Sequence, residues 1–304
     1  MAVSICTEPA AARSEATKAT VIGSIAILLW SSLVALATMT GALPPFQLVA
    51  MAFSVAFLLG FGKRVLSGES WCAYLRQPPL AWLLGVGGLF GYHAFYFVAL
   101  RLAPPVETSL INYLWPLLIV VGAASLPGER LGWWHIAGAC AGLGGTVLLV
   151  TGGGAAGFSL DYGLGYAAAF GAAVTWAGYS ILSRRMGEVP TEAVGGFCGA
   201  TALLALICHL MLEQTIWPEG GQWLAVLAMG LGPVGAAFFL WDYGMKRGNI
   251  KALGGFSYAA PLLSTFLLIL LGKGSLTPTV AAAGVLIVGG AVLASRDLWD
   301  RPRA

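Results

Sequence analysis

Charge is scarce in this chain. Asp, Glu, Lys and Arg make up 10% of its 304 residues, against roughly 25% in an ordinary soluble domain. Histidine and cysteine are equally sparse, at three and five. Cys6, Cys72, Cys140, Cys198 and Cys208 are scattered, with no metal-ligand spacing and no implied disulfide framework. No metal centre is expected. No G-x-x-x-x-G-K-[ST] run is present, which excludes nucleotide hydrolysis by that loop. Gly230-Leu231-Gly232-Pro233-Val234-Gly235 fits G-x-G-x-x-G, but it lies in an apolar run without a preceding strand. Its expected meaning is packing or a helix break. No nucleophile–base constellation is visible, so neither an enzyme nor a cofactor is expected. The net charge of +3 gives no reason to expect nucleic acid. Residues 1–19 lack an apolar core and are not a signal peptide. They read as a short, disordered cytoplasmic tail.

What the chain has is apolar length. Hydrophobic residues reach 58%, with 42 glycines, a composition suited to close helix packing in lipid. Ten apolar segments are expected, at about 20–40, 46–62, 80–100, 105–126, 132–150, 162–183, 191–212, 223–245, 250–271 and 279–295. Short turn-rich links join them. With a cytoplasmic N-terminus, every basic residue of the 16 except Arg101 and Lys273 falls on the cytoplasmic side, as the positive-inside rule requires. Residues 296–304 are then a cytoplasmic tail as well.

The fourth segment, Val106 to Leu126, carries Asn112, Tyr113, Trp115 and Pro116 at its middle. A proline there removes a helical hydrogen bond and predicts a kink. Tyr113 and Pro116 recur 145 residues on as Tyr258 and Pro261. That offset holds from about Leu80 to Leu148, and one residue of slip pairs Trp30 with Trp176 and Pro44 with Pro190. The repeats span 20–150 and 162–295. Five segments per repeat is odd, so the second copy enters the membrane from the opposite face. The expected fold is an all-α integral membrane protein of ten transmembrane helices in two inverted five-helix repeats, a common build of secondary transporters.

Aromatic residues divide in two. Trp71, Trp82, Trp133, Trp134, Trp217, Trp223, Trp241 and Trp299 lie at segment ends and read as an interfacial belt. Trp30, Tyr92, Tyr96, Tyr113, Trp115, Trp176, Tyr179 and Tyr258 lie inside segments, with His93 and Asn112 among them. A phenol or imidazole at that depth needs a partner, water or a ligand. Tyr92 and Tyr96 share a helix face, and Trp176, Tyr179, Ser180 and Ser183 form a stripe. Together these residues suit a midplane cavity that stacks on aromatic side chains or attracts an ammonium group. Each alone also admits plain helix packing with a satisfied hydroxyl. His135 and His209 read as interfacial, and Asp242 is placed to pair with Lys246. The spacings Gly87/Gly91, Gly138/Gly142 and Gly195/Gly199 predict close helix contacts.

The ordered set of Trp30 with LLWSS, Trp176, and the Pro116 and Pro261 segments, each followed by a Gly-rich one, resembles the drug/metabolite transporter superfamily of EamA type. The resemblance covers about residues 20–295. Tyr92-His93, Tyr96, Tyr113, Trp115, Trp176 and Tyr258 make it similar to the aromatic amino-acid exporter branch. That resemblance implies amino-acid export across a bacterial inner membrane from a central cavity, by alternating access. The candidate substrate-binding residues are Trp30, Tyr92, His93, Tyr96, Asn112, Tyr113, Trp115, Trp176, Tyr179 and Tyr258, with Pro116 and Pro261 as hinges. The expected partners are small amino acids and the lipid bilayer; the reading needs no second copy of the chain. An exporter of cationic or aromatic drugs is the alternative within transport, and an intramembrane enzyme or receptor the alternative outside it.

Overall fold

The computed structural model describes residues 8–68, 70, 72 and 76–299, with side chains from residue 14 to residue 298. Residues 1–7 of the expected tail, including Cys6, and Trp71, Arg301 and Arg303 lie outside the described residues. So do the side chains of Arg13 and Trp299.

The described residues form ten helical rods. In the first half these are α1 (Glu8–Ser31) continued by α2 (Leu33–Met39), α3 (Pro45–Leu66), α4 (Pro79–Leu102), the broken pair α5 (Pro105–Asn112) and α6 (Trp115–Gly122), and α7 (Trp133–Thr151). In the second half α8 (Gly163–Arg185) and α9 (Ala193–Leu212) come first. Next, α10 (Gly221–Leu231) passes through a π turn at Gly232–Ala236 into α11 (Ala237–Arg247). The broken pair α12 (Ile250–Phe256) and α13 (Ala259–Leu270) and then α14 (Pro278–Ala294) complete it, with a short α15 (Arg296–Trp299) after them. Residues 8–19, expected as disordered tail, are helical instead. Ala10, Ala11, Ala12 and Ala16 favour that state.

Eight of the rods are long and apolar enough to cross a bilayer. The other two fall short for different reasons. α14 is apolar but has 17 residues, the short end of the spanning range. α8 has 23 residues, but alanine, glycine and serine dilute its apolarity. Those small residues form its packing face, with Ala168, Ala169, Ala172, Ala173 and Ala177 all buried.

The helices begin and break where proline dictates. Pro45, Pro79, Pro105 and Pro278 occupy the first helical position, where a missing N–H costs nothing and φ is already set. Pro116 and Pro261 act differently. Each stands just after a break, because it offers no N–H to the carbonyl four residues earlier. Before Pro116 the chain tightens, Leu114 N–H donating to the Ile111 carbonyl at 3.1 Å. Before Pro261, Ala260 N–H donates to the Ser257 carbonyl at 3.1 Å in the same way.

Helix pairing carries the duplication into three dimensions. α4 packs along α8, and α1 packs along α11. Exchanging the halves turns the first pair into the second. α3 packs on α9, and α7 on α14; exchange maps each of these pairs onto itself. The α7–α14 contact is backbone to backbone. A Cβ on Gly138 would lie 2.5 Å from the Gly290 carbonyl oxygen, and one on Gly290 would lie 2.5 Å from that of Gly138. Gly142 is equally tight, against the Tyr258 ring, whereas Gly87 faces open space and makes no close helix contact.

One end of the bundle is tied by charge. Glu129, in the link after α6, accepts from Arg184 Nη2 at 3.1 Å and faces Lys251 Nζ at 3.1 Å. Lys251 lies 3.4 Å from Asp297, which also meets His135 Nε2 at 2.9 Å and Trp134 Nε1 at 3.0 Å. The cluster joins the end of α8, the starts of α7 and α12, and α15. Near it, Asp242 pairs with Lys246 at 2.9 Å, both buried, and accepts from Thr191 at 2.7 Å. His135 and His209, expected at segment ends, do stand there, at the start of α7 and the end of α9, but neither faces outward. Both are buried, His209 between Glu213 at 3.0 Å and Thr215 at 2.9 Å.

Candidate functional site

A cavity of about 500 Å³ lies between the halves. It reaches from the middle of the bundle towards the end opposite the charge cluster. Leu149 and Val150 near the end of α7 and Leu268 near the end of α13 form its upper wall. Among the described residues, no Asp, Glu, Lys or Arg lines it.

Trp30, Trp115 and Trp176 close its floor, and Trp241 backs them. Trp30, Trp115, Trp176 and Trp241 are all in mutual contact, with ring centroids 5.0 to 6.3 Å apart. Most of these pairs meet edge to face, the arrangement the ring quadrupoles favour. Trp241 corrects the belt reading: it is fully buried, and its indole N–H donates to Ser180 Oγ at 3.0 Å. The 27-residue rod it belongs to is longer than a bilayer needs, so a residue near its sequence end still faces the core. Trp133 and Trp223 lie exposed near the starts of α7 and α10, and Trp217 lies exposed in the link between α9 and α10. Trp82 packs on Phe197 at 5.4 Å.

Trp30 donates its indole N–H to the Pro233 carbonyl at 3.0 Å. That carbonyl belongs to the π turn, where the regular ladder is interrupted and carbonyls need other donors. The indole N–H groups of Trp115 and Trp176 have no acceptor among the described residues.

The wall is built from α4 and α5. Tyr92 and Tyr96 stack at 6.0 Å with ring planes 6° apart. Asn112 Nδ2 donates to the Tyr92 hydroxyl at 3.1 Å, and the Tyr96 hydroxyl shares a hydrogen bond with Ser109 Oγ at 3.3 Å. His93 Nδ1 lies 2.7 Å from the Leu89 carbonyl. A carbonyl only accepts, so Nδ1 carries the proton and Nε2 is the free nitrogen. Phe53 and Phe97 hold the imidazole edge-on, at 5.3 and 6.2 Å.

Eight of the ten expected residues line this cavity: Trp30, Tyr92, His93, Tyr96, Asn112, Tyr113, Trp115 and Trp176. Tyr179 and Tyr258 do not. Both are buried behind it, Tyr179 against Gly88 and Tyr258 against Gly142. The Tyr258 hydroxyl accepts from Leu117 N–H at 3.2 Å. Pro261 lines the cavity and Pro116 is buried beneath it. The sequence reading missed Pro233, Val234 and Phe238, and the polar pair Ser264 and Thr265. One signal for the first three was present: the run from Gly230 to Gly235, read as packing or a helix break, runs from the end of α10 into the π turn.

Such an arrangement can surround a ring with rings and meet a polar head with neutral donors and acceptors. Ten helices in two interchangeable halves, around an uncharged chamber closed at one end, define a membrane carrier of small solutes. The sequence pattern of the EamA-like transporter family matches this chain twice, over residues 17–151 and 163–296. The chain belongs to that family. It is 52% identical to the aromatic amino acid exporter YddG of Ancylobacter novellus, over 92% of this chain and 97% of that one. It is 26% identical to the protein of that name in Escherichia coli, over 91% and 96%. A solved crystal structure 51% identical in sequence matches it with a TM-score of 0.89, covering 94% of this chain and 100% of that chain.

Proposed function

We propose that this protein exports amino acids, aromatic ones among them, across a bacterial inner membrane by alternating access. The observation that carries the reading is the cavity lining: aromatic faces, scattered neutral hydrogen-bonding groups and, among the described residues, no ionised side chain. Stacked and edge-on rings suit an aromatic side chain. An ammonium group finds π-faces. A carboxylate finds the unpaired N–H groups of Trp115 and Trp176. A permanent cation alone would find no counter-charge, which disfavours the drug-exporter alternative. The names of the relatives support the same substrate class.

Trp30, Tyr92, His93, Tyr96, Asn112, Tyr113, Trp115 and Trp176 contact the substrate in this reading, and the breaks before Pro116 and Pro261 are its flexing points. Both termini lie in the cytoplasm, on the side of the charge cluster, because Arg130, Arg184, Lys246 and Lys251 gather there while Arg101 and Lys273 lie at the opposite end. The structure then faces outward.

Counterflow in proteoliposomes tests this. Vesicles loaded with unlabelled phenylalanine should accumulate labelled phenylalanine, tyrosine and tryptophan, and excess unlabelled aromatic amino acid should abolish the signal. Competition by hydrophobic cations, with none by amino acids, would replace this reading with drug export.

A further inference from the structure

Tyr179 and Tyr258 lie outside the cavity, and each sits oddly where it is. The Tyr258 ring is fully buried, yet its hydroxyl reaches the other half of the protein to take Leu117 N–H at 3.2 Å. That amide lies in the first turn of α6, where helical N–H groups have no partner of their own. The Tyr179 hydroxyl is buried with no hydrogen-bond partner among the described residues, a costly state that calls for a reason.

The repeat supplies one. The counterpart of Tyr258 is Tyr113 and that of Leu117 is Leu262, 145 residues apart in each case. With the one-residue slip, Tyr179 matches Leu33. Tyr113 and Leu33 both line the cavity. Thr265 also lines it, whereas its counterpart Val120 is fully buried. The groups now packed away are thus the repeat images of groups now open. Inverted halves change access by exchanging conformations around the shared site.

We infer that Tyr179 and Tyr258 belong to the inward-facing form of the chamber, and that Tyr258 and Tyr113 alternate as latches. In the outward form Tyr258 holds the Leu117 amide and the Tyr113 hydroxyl is free. In the inward form Tyr113 holds the Leu262 amide, Tyr258 lets go and lines the chamber, and the Tyr179 hydroxyl meets water or substrate. The inference rests on the carrier reading above and not on the identity of the solute.

The test uses the full chain with its cysteines replaced by serine and one reporter, Val120→Cys, in proteoliposomes. A membrane-impermeant maleimide is applied from the cytoplasmic face. Losing one neutral hydrogen bond shifts a two-state population about two- to tenfold. Tyr258→Phe should raise the labelling rate by that factor, and Tyr113→Phe should lower it. A purely structural tyrosine would lower yield or Tm without this opposition of sign. Equal rates in all three proteins, shifts in the same direction, or a reporter that never labels would overturn the inference. If Tyr258→Phe does not fold, Tyr113→Phe carries the test alone, since its hydroxyl has no partner among the described residues in the outward form; an unchanged rate is then fatal. Counterflow on the same vesicles keeps the two readings apart. Opposed labelling shifts without amino-acid exchange would sink the substrate and leave the latches standing.

Discussion

Glu129→Gln isolates what the charge cluster contributes to keeping one end shut. The replacement keeps the shape of the side chain and removes its charge. Glu129 is 17% exposed and meets two cations at 3.1 Å. Each contact falls from a charge-assisted to an ordinary hydrogen bond, a loss of roughly 1 kcal/mol apiece. Neither cation is stranded. Arg184 still donates to the carbonyls of Met245 and Gly248, and Lys251 keeps Asp297 and the Arg130 carbonyl. The net effect is therefore about 1–2 kcal/mol, well below the 3–5 kcal/mol of a buried ion left alone. If the cluster forms only with that end closed, the inward-facing fraction rises about five- to thirtyfold. Apparent affinity scales with the fraction of binding-competent protein. Half-saturation for labelled phenylalanine from the cytoplasmic face should fall by that factor while the inward form remains the minor one, and the value from the outer face should barely change. Inside-out and right-side-out vesicles measure the two. An unchanged ratio between faces, in a variant of unchanged Tm, would show that the cluster does not hold the gate.

Asp242→Asn should lower Tm sharply, by an effect of about 3–5 kcal/mol, because it takes from the buried Lys246 ammonium its counter-charge and leaves it the neutral Val189 carbonyl; Asp242→Asn with Lys246→Met should recover much of the loss, and thermal unfolding in detergent reads both. Trp30→Phe removes the only side-chain donor described for the Pro233 carbonyl, and should cost about 1–3 kcal/mol by the same assay. His93→Phe keeps a ring between Phe53 and Phe97 but removes Nε2; transport should fall about tenfold with Tm nearly unchanged, and wild-type counterflow would remove His93 from the site.

Much of this architecture was legible because it is local or periodic. Proline placement gave the two broken helices, and the offset between Tyr113 and Tyr258 gave the halves. Residue type alone marked Tyr92, His93 and Trp176 as too polar for lipid. Helical spacing shows which face a residue shares, but not what covers that face. Tyr113 and Tyr258 are matched in sequence, yet one opens on the cavity and the other is sealed behind Gly142. Trp241 lies near the end of its segment and still backs the tryptophan floor, because three other rods converge on it. Glu129 sits in a short link with no motif around it. Its importance comes from Arg184 and Lys251, 55 and 122 positions further along, and only the packed bundle brings those charges together.

The uncharged lining has an electrical consequence. Membrane voltage acts on a protein through the charges it displaces, at about 2.3 kcal/mol per elementary charge for each 100 mV. A chamber without ionised groups contributes no such charge, and a zwitterion carried within it adds none. Polarising the membrane should then act on exchange of neutral amino acids only through the charge cluster at the closed end, and any steady current recorded would belong to an accompanying ion.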